Sequence, residues 1–221
     1  MRRDAGRLGG LAKAIVILLV VLIVAGVASA LMIVANRARF ADVAAGRLDE
    51  TDVESAIAGI GFVGLVTGLC QLGVAVCVMI WMFKAARNLR LAGRSDATWA
   101  PGWGIGGWFC PPCVFVIPWL MLQELWKGAS PDAPAGPGGW RTTRSNRLIP
   151  LWWVLYGLGG LAVGGLQLRR GFAVEVEDVA DFYDDAAWWT LASTAVTIAA
   201  GICFIGIVRG ITARHRRLVG V

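Results

Sequence analysis

The sequence has very few groups that do chemistry. It contains one histidine, His215, and only 16% of its 221 residues are charged, against about 25% in a soluble domain. Nucleophile motifs, Gly-rich phosphate loops and histidine constellations are missing, so an enzymatic reading has no residues to rest on. A structural zinc site wants four ligands, and one histidine with scattered cysteines does not supply them. Cys70, Cys77 and Cys203 lie inside apolar stretches and read as small hydrophobes; no disulfide framework of the small secreted kind is implied. Period-two alternation is also missing, which excludes a transmembrane β-barrel.

What is present is apolar sequence, 57% of the chain, gathered into runs free of charge. Four runs stand out: 14–34, 56–83, 148–166 and 187–208. Each is long enough for a spanning helix, which needs about 20 apolar residues. The fold class expected is an all-α integral membrane protein with four transmembrane helices in two hairpins, 14–83 and 148–208. The N-terminus also carries signal-peptide features, a basic start and a small-residue "ASA" at Ala28 to Ala30. Because the apolar run continues past that site, we read an uncleaved anchor.

Charge sets the orientation, since basic residues favour cytoplasmic loops. Between the hairpins lies an apolar but proline-broken segment, 102–126, containing "GWFCPPCVFVIPWLMLQELW". If it does not cross the bilayer, 16 of the 21 basic residues fall on one side. If it crosses, the basic residues divide almost evenly. The first arrangement obeys the charge rule. It gives cytoplasmic tails at 1–13 and 209–221, cytoplasmic loops within 84–147, and outer loops at 35–55 and 167–186. The net charge of +6 thus reflects membrane orientation and implies no nucleic-acid partner.

Pro111 and Pro112 remove two backbone donors and break a helix. Irregular backbone at membrane depth needs cover from protein or a wet cavity. The segment is therefore expected as a re-entrant or in-plane helical hairpin on the cytoplasmic side, with Pro118 opening its second arm. The two outer loops resemble each other: Arg37, Phe40, Ala41, Asp49 and Asp52 match Arg169, Phe172, Ala173, Asp181 and Asp184 at a constant offset. Thr51 to Glu54 forms a capping-box pattern before the second span. Gly64 and Gly68, Gly160 and Gly164, and Ala195 and Ala199 have the small-residue spacing that lets helices approach in lipid. Tryptophans, among them Trp99, Trp103, Trp126, Trp140, Trp152 and Trp153, collect near span ends, as interface residues do.

The stretches "WMFKAARNLRLAG" (from Trp81), "WAPGWGIGGWFCPPCVFVIPWLMLQELWKGAS" (from Trp99), Trp140 and "LWW" (from Leu151) resemble a bacterial membrane family described as domain of unknown function 4328. The resemblance rests on Arg87-Asn88 after a span, on Trp108 and Phe109, on Pro111 and Pro118 seven apart, on Glu124-Leu125-Trp126, and on Trp152 and Trp153. It covers roughly 81–153 strongly and the flanking spans by hydropathy alone. Val114 and Ile117 replace the polar and basic residues often found there in the family, and Cys110 and Cys113 are outside its pattern. The resemblance implies a bacterial membrane location and no mechanism.

Three chemical readings compete. Cys110 and Cys113 form a CxxC pair, a redox candidate, but the topology turns them toward the reducing cytoplasm, where disulfides are rare; packing thiols are expected. Gln71, with Thr67 a turn before it, and Glu124 are the candidates for lining a conduit, because intramembrane polar groups mark transport paths. Their plainer roles are a helix–helix bond for Gln71 and an interfacial ion pair with Lys127 or Arg87 for Glu124. Asp181, Asp184 and Asp185 offer hard oxygens without EF-hand spacing. The expectation is a non-enzymatic binding or assembly module of the bacterial cytoplasmic membrane, with no cofactor. Its partners would be the bilayer, anionic lipids at the cytoplasmic face, and a membrane protein or a second copy of the chain.

Overall fold

The computed structural model describes residues 2–49, 51, 54–94, 96–111, 113–134, 138–159 and 179–218. The described residues form helices and turns with no strand: α1 (Arg2–Ala44), α2 (Glu54–Leu91), α3 (Trp103–Gly106), α4 (Ile117–Gly128), α5 (Leu148–Trp153) and α6 (Val179–Leu218). The helix of α5 widens into a π-turn at Val154–Leu158, and 3-10 turns occur at Cys113–Phe115 and Gly139–Thr142.

Within α1, α2 and α6, the stretches Arg7–Val43, Ala58–Leu91 and Leu191–Leu218 are long and apolar enough to cross a membrane. α1 packs on both of the others and runs antiparallel to each. Gly73 and Gly59 of α2 lie against Leu18 and Met32, while Gly201 and Thr194 of α6 lie against Ile23 and Gly26. The third expected run is described only in part, as the shorter apolar helix Leu148–Gly157. Its remainder, residues 167–178 of the second outer loop and the Gly160/Gly164 pair fall outside the described residues, as does Asp52 of the capping box; residues 179–186, expected in that loop, already belong to α6. Of the loop repeat, Asp52 in the first copy and Arg169, Phe172 and Ala173 in the second lie outside the described residues.

That first loop differs from expectation. α1 does not stop at residue 34; it runs to Ala44. The chain then turns at Gly46, φ +68°, and Arg47 pairs with Asp42 at 2.6 Å. The basic tails differ as well. Residues 2–13, 84–91 and 209–218 continue α1, α2 and α6 as helix. The reason is amphipathic spacing. Leu8, Ala12 and Ile15 on α1, Ala85 and Leu89 on α2, and Ile207, Ile211 and His215 on α6 recur at helical intervals and are all buried. Among their basic neighbours Arg7, Lys13, Arg87, Arg209, Arg216 and Arg217 are exposed.

The core accordingly sits at one end of the bundle. There the α1 start and the α2 and α6 ends meet α4, α5 and the loops between them. Trp81, Met82, Leu122, Leu125, Ile149 and Ile211 lie at its centre. The opposite half keeps apolar stripes uncovered: Ile17, Val24 and Leu31 on α1, and Phe62, Leu65, Leu69 and Leu72 on α2, are each more than 60% exposed.

Candidate functional site

The proline-broken segment is folded onto this buried end. Its first arm, expected as one side of a helical hairpin, is helical among the described residues only in the single turn of α3, before turns lead to α4. Gly104 explains why α3 fits: a Cβ there would come within 2.7 Å of the Phe83 backbone nitrogen and 3.1 Å of Met82 carbonyl carbon, so any side chain would push α3 off α2. The second arm is α4, with Pro118 in its first turn, where a missing N–H costs nothing. Ile117, Pro118, Met121, Leu122, Leu125 and Gly128 fall on one helical face and are buried.

Glu124, Leu125 and Trp126 point in three directions. Glu124 accepts backbone N–H groups from Thr98 (2.8 Å) and Trp99 (3.0 Å), holding the loop after α2. Leu125 is buried in the core. Trp126 lies against Gly210 of α6, donates its indole N–H to the Arg144 carbonyl at 3.2 Å, and has the Arg214 guanidinium 3.7 Å above its ring. The sequence-based pairing of Glu124 with Lys127 or Arg87 is thus corrected. Two adjacent donors in a turn suit both oxygens of one carboxylate, and Lys127 instead reaches the Arg141 carbonyl at 3.5 Å.

A second tie was not anticipated. Asp96 accepts the Gly138 N–H at 2.6 Å and the Trp140 indole N–H at 3.0 and 3.1 Å. The Trp140 indole, with help from the Gly138 N–H and the Arg141 charge, holds its carboxyl below the usual range. Gly138 adopts φ +73°, which glycine reaches without strain. Only four of the 15 acids lie outside the outer loops, and that scarcity was the available signal for Asp96. Other ties are Gln123 with the Asn146 backbone, at 3.0 and 3.2 Å, and the Trp81 indole with Thr212 at 3.2 Å. His215, expected in a free tail, is buried, with ring nitrogens 3.1 Å from the Ile211 and Ala85 carbonyls.

The remaining motif residues converge. Trp108, Val114, Phe115 and Pro118 of the broken segment face Trp152, Trp153, Tyr156 and Gly157 of α5 and its π-turn across a cavity of about 360 Å³. The Trp153 indole N–H donates to the Phe115 carbonyl at 2.5 Å. Trp119 lies 5.6 Å from Trp153, and Trp152 stacks between Tyr156 (5.4 Å) and Phe204 (4.9 Å). π-turns recur at functional sites, and here one forms a wall. Phe109 and Pro111 stay exposed. Arg87 is exposed and Asn88 half-buried on the last turns of α2.

Cys110 and Cys113 are joined in a disulfide, where packing thiols were expected. The turn between them, with the Cys113 and Val114 N–H groups bonded to the Cys110 carbonyl at 2.9 Å, brings their Cα atoms to 5.0 Å, within the bridging range. Gln71 is exposed on α2. Helical rise puts it about 27 Å from Leu89, the level at which Gly128 of α4 meets α2. The two conduit candidates are therefore not brought together. Thr67 bonds its hydroxyl to the Val63 carbonyl at 2.8 Å. No group of three or more metal-ligating side chains occurs among the described residues.

An all-helical chain with three helices long and apolar enough to cross a membrane fits a multi-pass membrane protein. The family described as Domain of unknown function (DUF4328) matches residues 44–213, and the chain belongs to that family. No curated protein matches the chain. No solved structure matches it either.

Proposed function

We propose that this protein is a non-enzymatic binding or assembly module of the bacterial cytoplasmic membrane. In this reading four helices span the bilayer, both termini are cytoplasmic, and 102–126 is a re-entrant or in-plane segment on the cytoplasmic side. The clustering of basic residues at the end of the bundle that holds α3 to α5 supports that orientation. Anionic lipids would be drawn there at about 1 kcal/mol per basic residue. A membrane protein or a second copy is the expected macromolecular partner; nucleic acid is not.

One observation carries the reading. Motif residues 45 positions apart, Trp108 and Trp153, meet at one apolar cavity, while Glu124 and Asp96 are occupied in holding backbone. Shape and apolar surface are left over, and these suit binding. The test is ion flux in liposomes carrying the full-length protein. Flux no greater than in protein-free vesicles is expected. Flux that changes in Gln71→Ala or Glu124→Gln would replace the module with a conduit.

The Cys110–Cys113 bridge favours a second reading, a membrane thiol–disulfide oxidoreductase. Acid quenching of growing cells, alkylation and mass spectrometry of the peptide separate the two. Free thiols leave the module in place. A substantial fraction of disulfide moves the oxidoreductase to first place and speaks against the cytoplasmic orientation.

A further inference from the structure

Two polar rungs tie α2 to α6 at the basic end of the bundle, one helical turn apart. The Trp81 indole donates to the Thr212 hydroxyl at 3.2 Å. On the next turn the His215 ring meets the Ala85 carbonyl through Nε2 at 3.1 Å, while its Nδ1 lies 3.1 Å from the Ile211 carbonyl of its own helix. His215 is 2% exposed, and Ala85 and Ile211 are buried with it.

A neutral imidazole carries one N–H. It donates to one of these carbonyls and turns a lone pair to the other. An imidazolium would donate to both, but it would bring a full charge into a site closed to water. Burial opposes that charge, and it acts on the ring more strongly than the two carbonyls that favour it.

No carboxylate among the described residues offsets the burial. At this end the described charged side chains of α1 and α2 are Arg7, Lys13, Lys84, Arg87 and Arg90, and those of α6 are Arg209, Arg214, Arg216 and Arg217. All are basic, and α5 has no charged residue. On α4, Glu124 is taken up by the Thr98 and Trp99 N–H groups, and Lys127 reaches the Arg141 carbonyl. Asp132, after α4, acts on Arg214. The turns of α6 that carry His215 also set Arg214 over the Trp126 ring and Arg216 against Gly9 of α1.

We propose that His215 is an acid-sensitive latch: uptake of one proton by its ring releases the end of α6 from α2. The neutral ring keeps the latch closed above the ordinary histidine value of about 6.5. Below it the open state binds a proton that the closed state does not, and opening grows about tenfold per pH unit. In the orientation proposed above, the latch reads cytoplasmic pH. It goes beyond the module reading and needs no ligand.

The experiment follows hydrogen exchange of the full-length protein in phospholipid nanodiscs by mass spectrometry, with each peptide's rate divided by its intrinsic rate at that pH. The range runs from about pH 7.5 to about pH 5.5, where histidine is the only side chain with an ordinary pKa, and the chain has one histidine. Protection of 207–218 should stay level down to about pH 6.5 and then fall about tenfold by about pH 5.5, while residues 16–30 of α1 keep theirs. His215→Gln retains a donor and does not titrate, so its 207–218 protection should be level throughout. A level profile in the wild type, or the same fall in His215→Gln, overturns the latch. So does protection that rises in acid, which would mean an imidazolium bonded to both carbonyls. Should His215→Gln fail to accumulate, NMR of labelled histidine decides: the ring must titrate together with the loss of protection, and loss without titration overturns the latch.

Discussion

The two halves of this bundle bury apolar surface in opposite ways. In the outer half α1 meets α2 and α6 where small residues such as Gly73 and Gly201 receive Leu18 and Ile23, and many of the other large side chains point away from the protein. Ile17, Val24, Leu31, Phe62 and Leu69 are exposed, as the lipid-facing side chains of a spanning helix are. In the basic half the same three helices turn amphipathic, and α3 to α5 with their loops provide the cover. Packing there is dense, and carboxylates, amides and indoles tie loop backbone to helix. The outer half thus leaves its apolar surface uncovered among the described residues, while the basic half is packed like the core of a soluble domain.

Substitutions can break that contrast. The largest effect is expected at Gly104. Gly104→Val forces α3 away from the α2 backbone, costing about 3 kcal/mol; thermal unfolding in mild detergent should show a strongly lowered midpoint or no folded protein. Leu125→Ala removes a buried core side chain and should cost about 2–4 kcal/mol, whereas Leu69→Ala, on the exposed stripe, should change stability by less than about 0.5 kcal/mol. Equal effects would erase the distinction between the halves. Glu124→Gln keeps one acceptor oxygen and loses the charge-assisted bond of the other, a loss of about 1–2 kcal/mol. Gln71→Ala should be near neutral.

The smallest effect concerns pH. Asp96 has its carboxyl pKa lowered chiefly by the Trp140 indole. Its contribution is present above the unfolded value of about 4 and is lost as pH falls through the lowered folded value. Trp140 fluorescence, read against a Trp140→Phe control, should report release of the 138–142 loop in that acid window. Asp96→Asn should abolish the step; an unchanged acid transition would remove Asp96 from its place as the loop's anchor.

Part of the site was legible beforehand. Pro118 marked the start of α4, and the Trp108, Pro118, Trp152 and Trp153 positions singled out by family resemblance do meet in space. The roles of Glu124, Asp96 and His215 were not legible. A carboxylate's partners here are backbone N–H groups, which every residue carries and no sequence pattern distinguishes. His215 looked like part of a charged tail because its neighbours are arginines; its burial follows from its position four residues after Ile211 on a continuing helix.

Hydropathy is a property of consecutive residues, so the sequence by itself determined that this chain is helical, that it carries membrane-length apolar runs, and that its basic residues segregate. It also determined that a proline-broken segment interrupts them. Contacts between residues distant in the chain are set only when helices pack. The tertiary structure alone decided that the basic ends of α1, α2 and α6 extend as helix and share a core with α4. It also decided that Asp96 clamps Trp140 and that the indole N–H groups of Trp108 and Trp119 are buried without an acceptor among the described residues. The physical reason is that averaged polarity along a tail conceals a buried stripe, which has meaning only once a neighbouring helix lies against it.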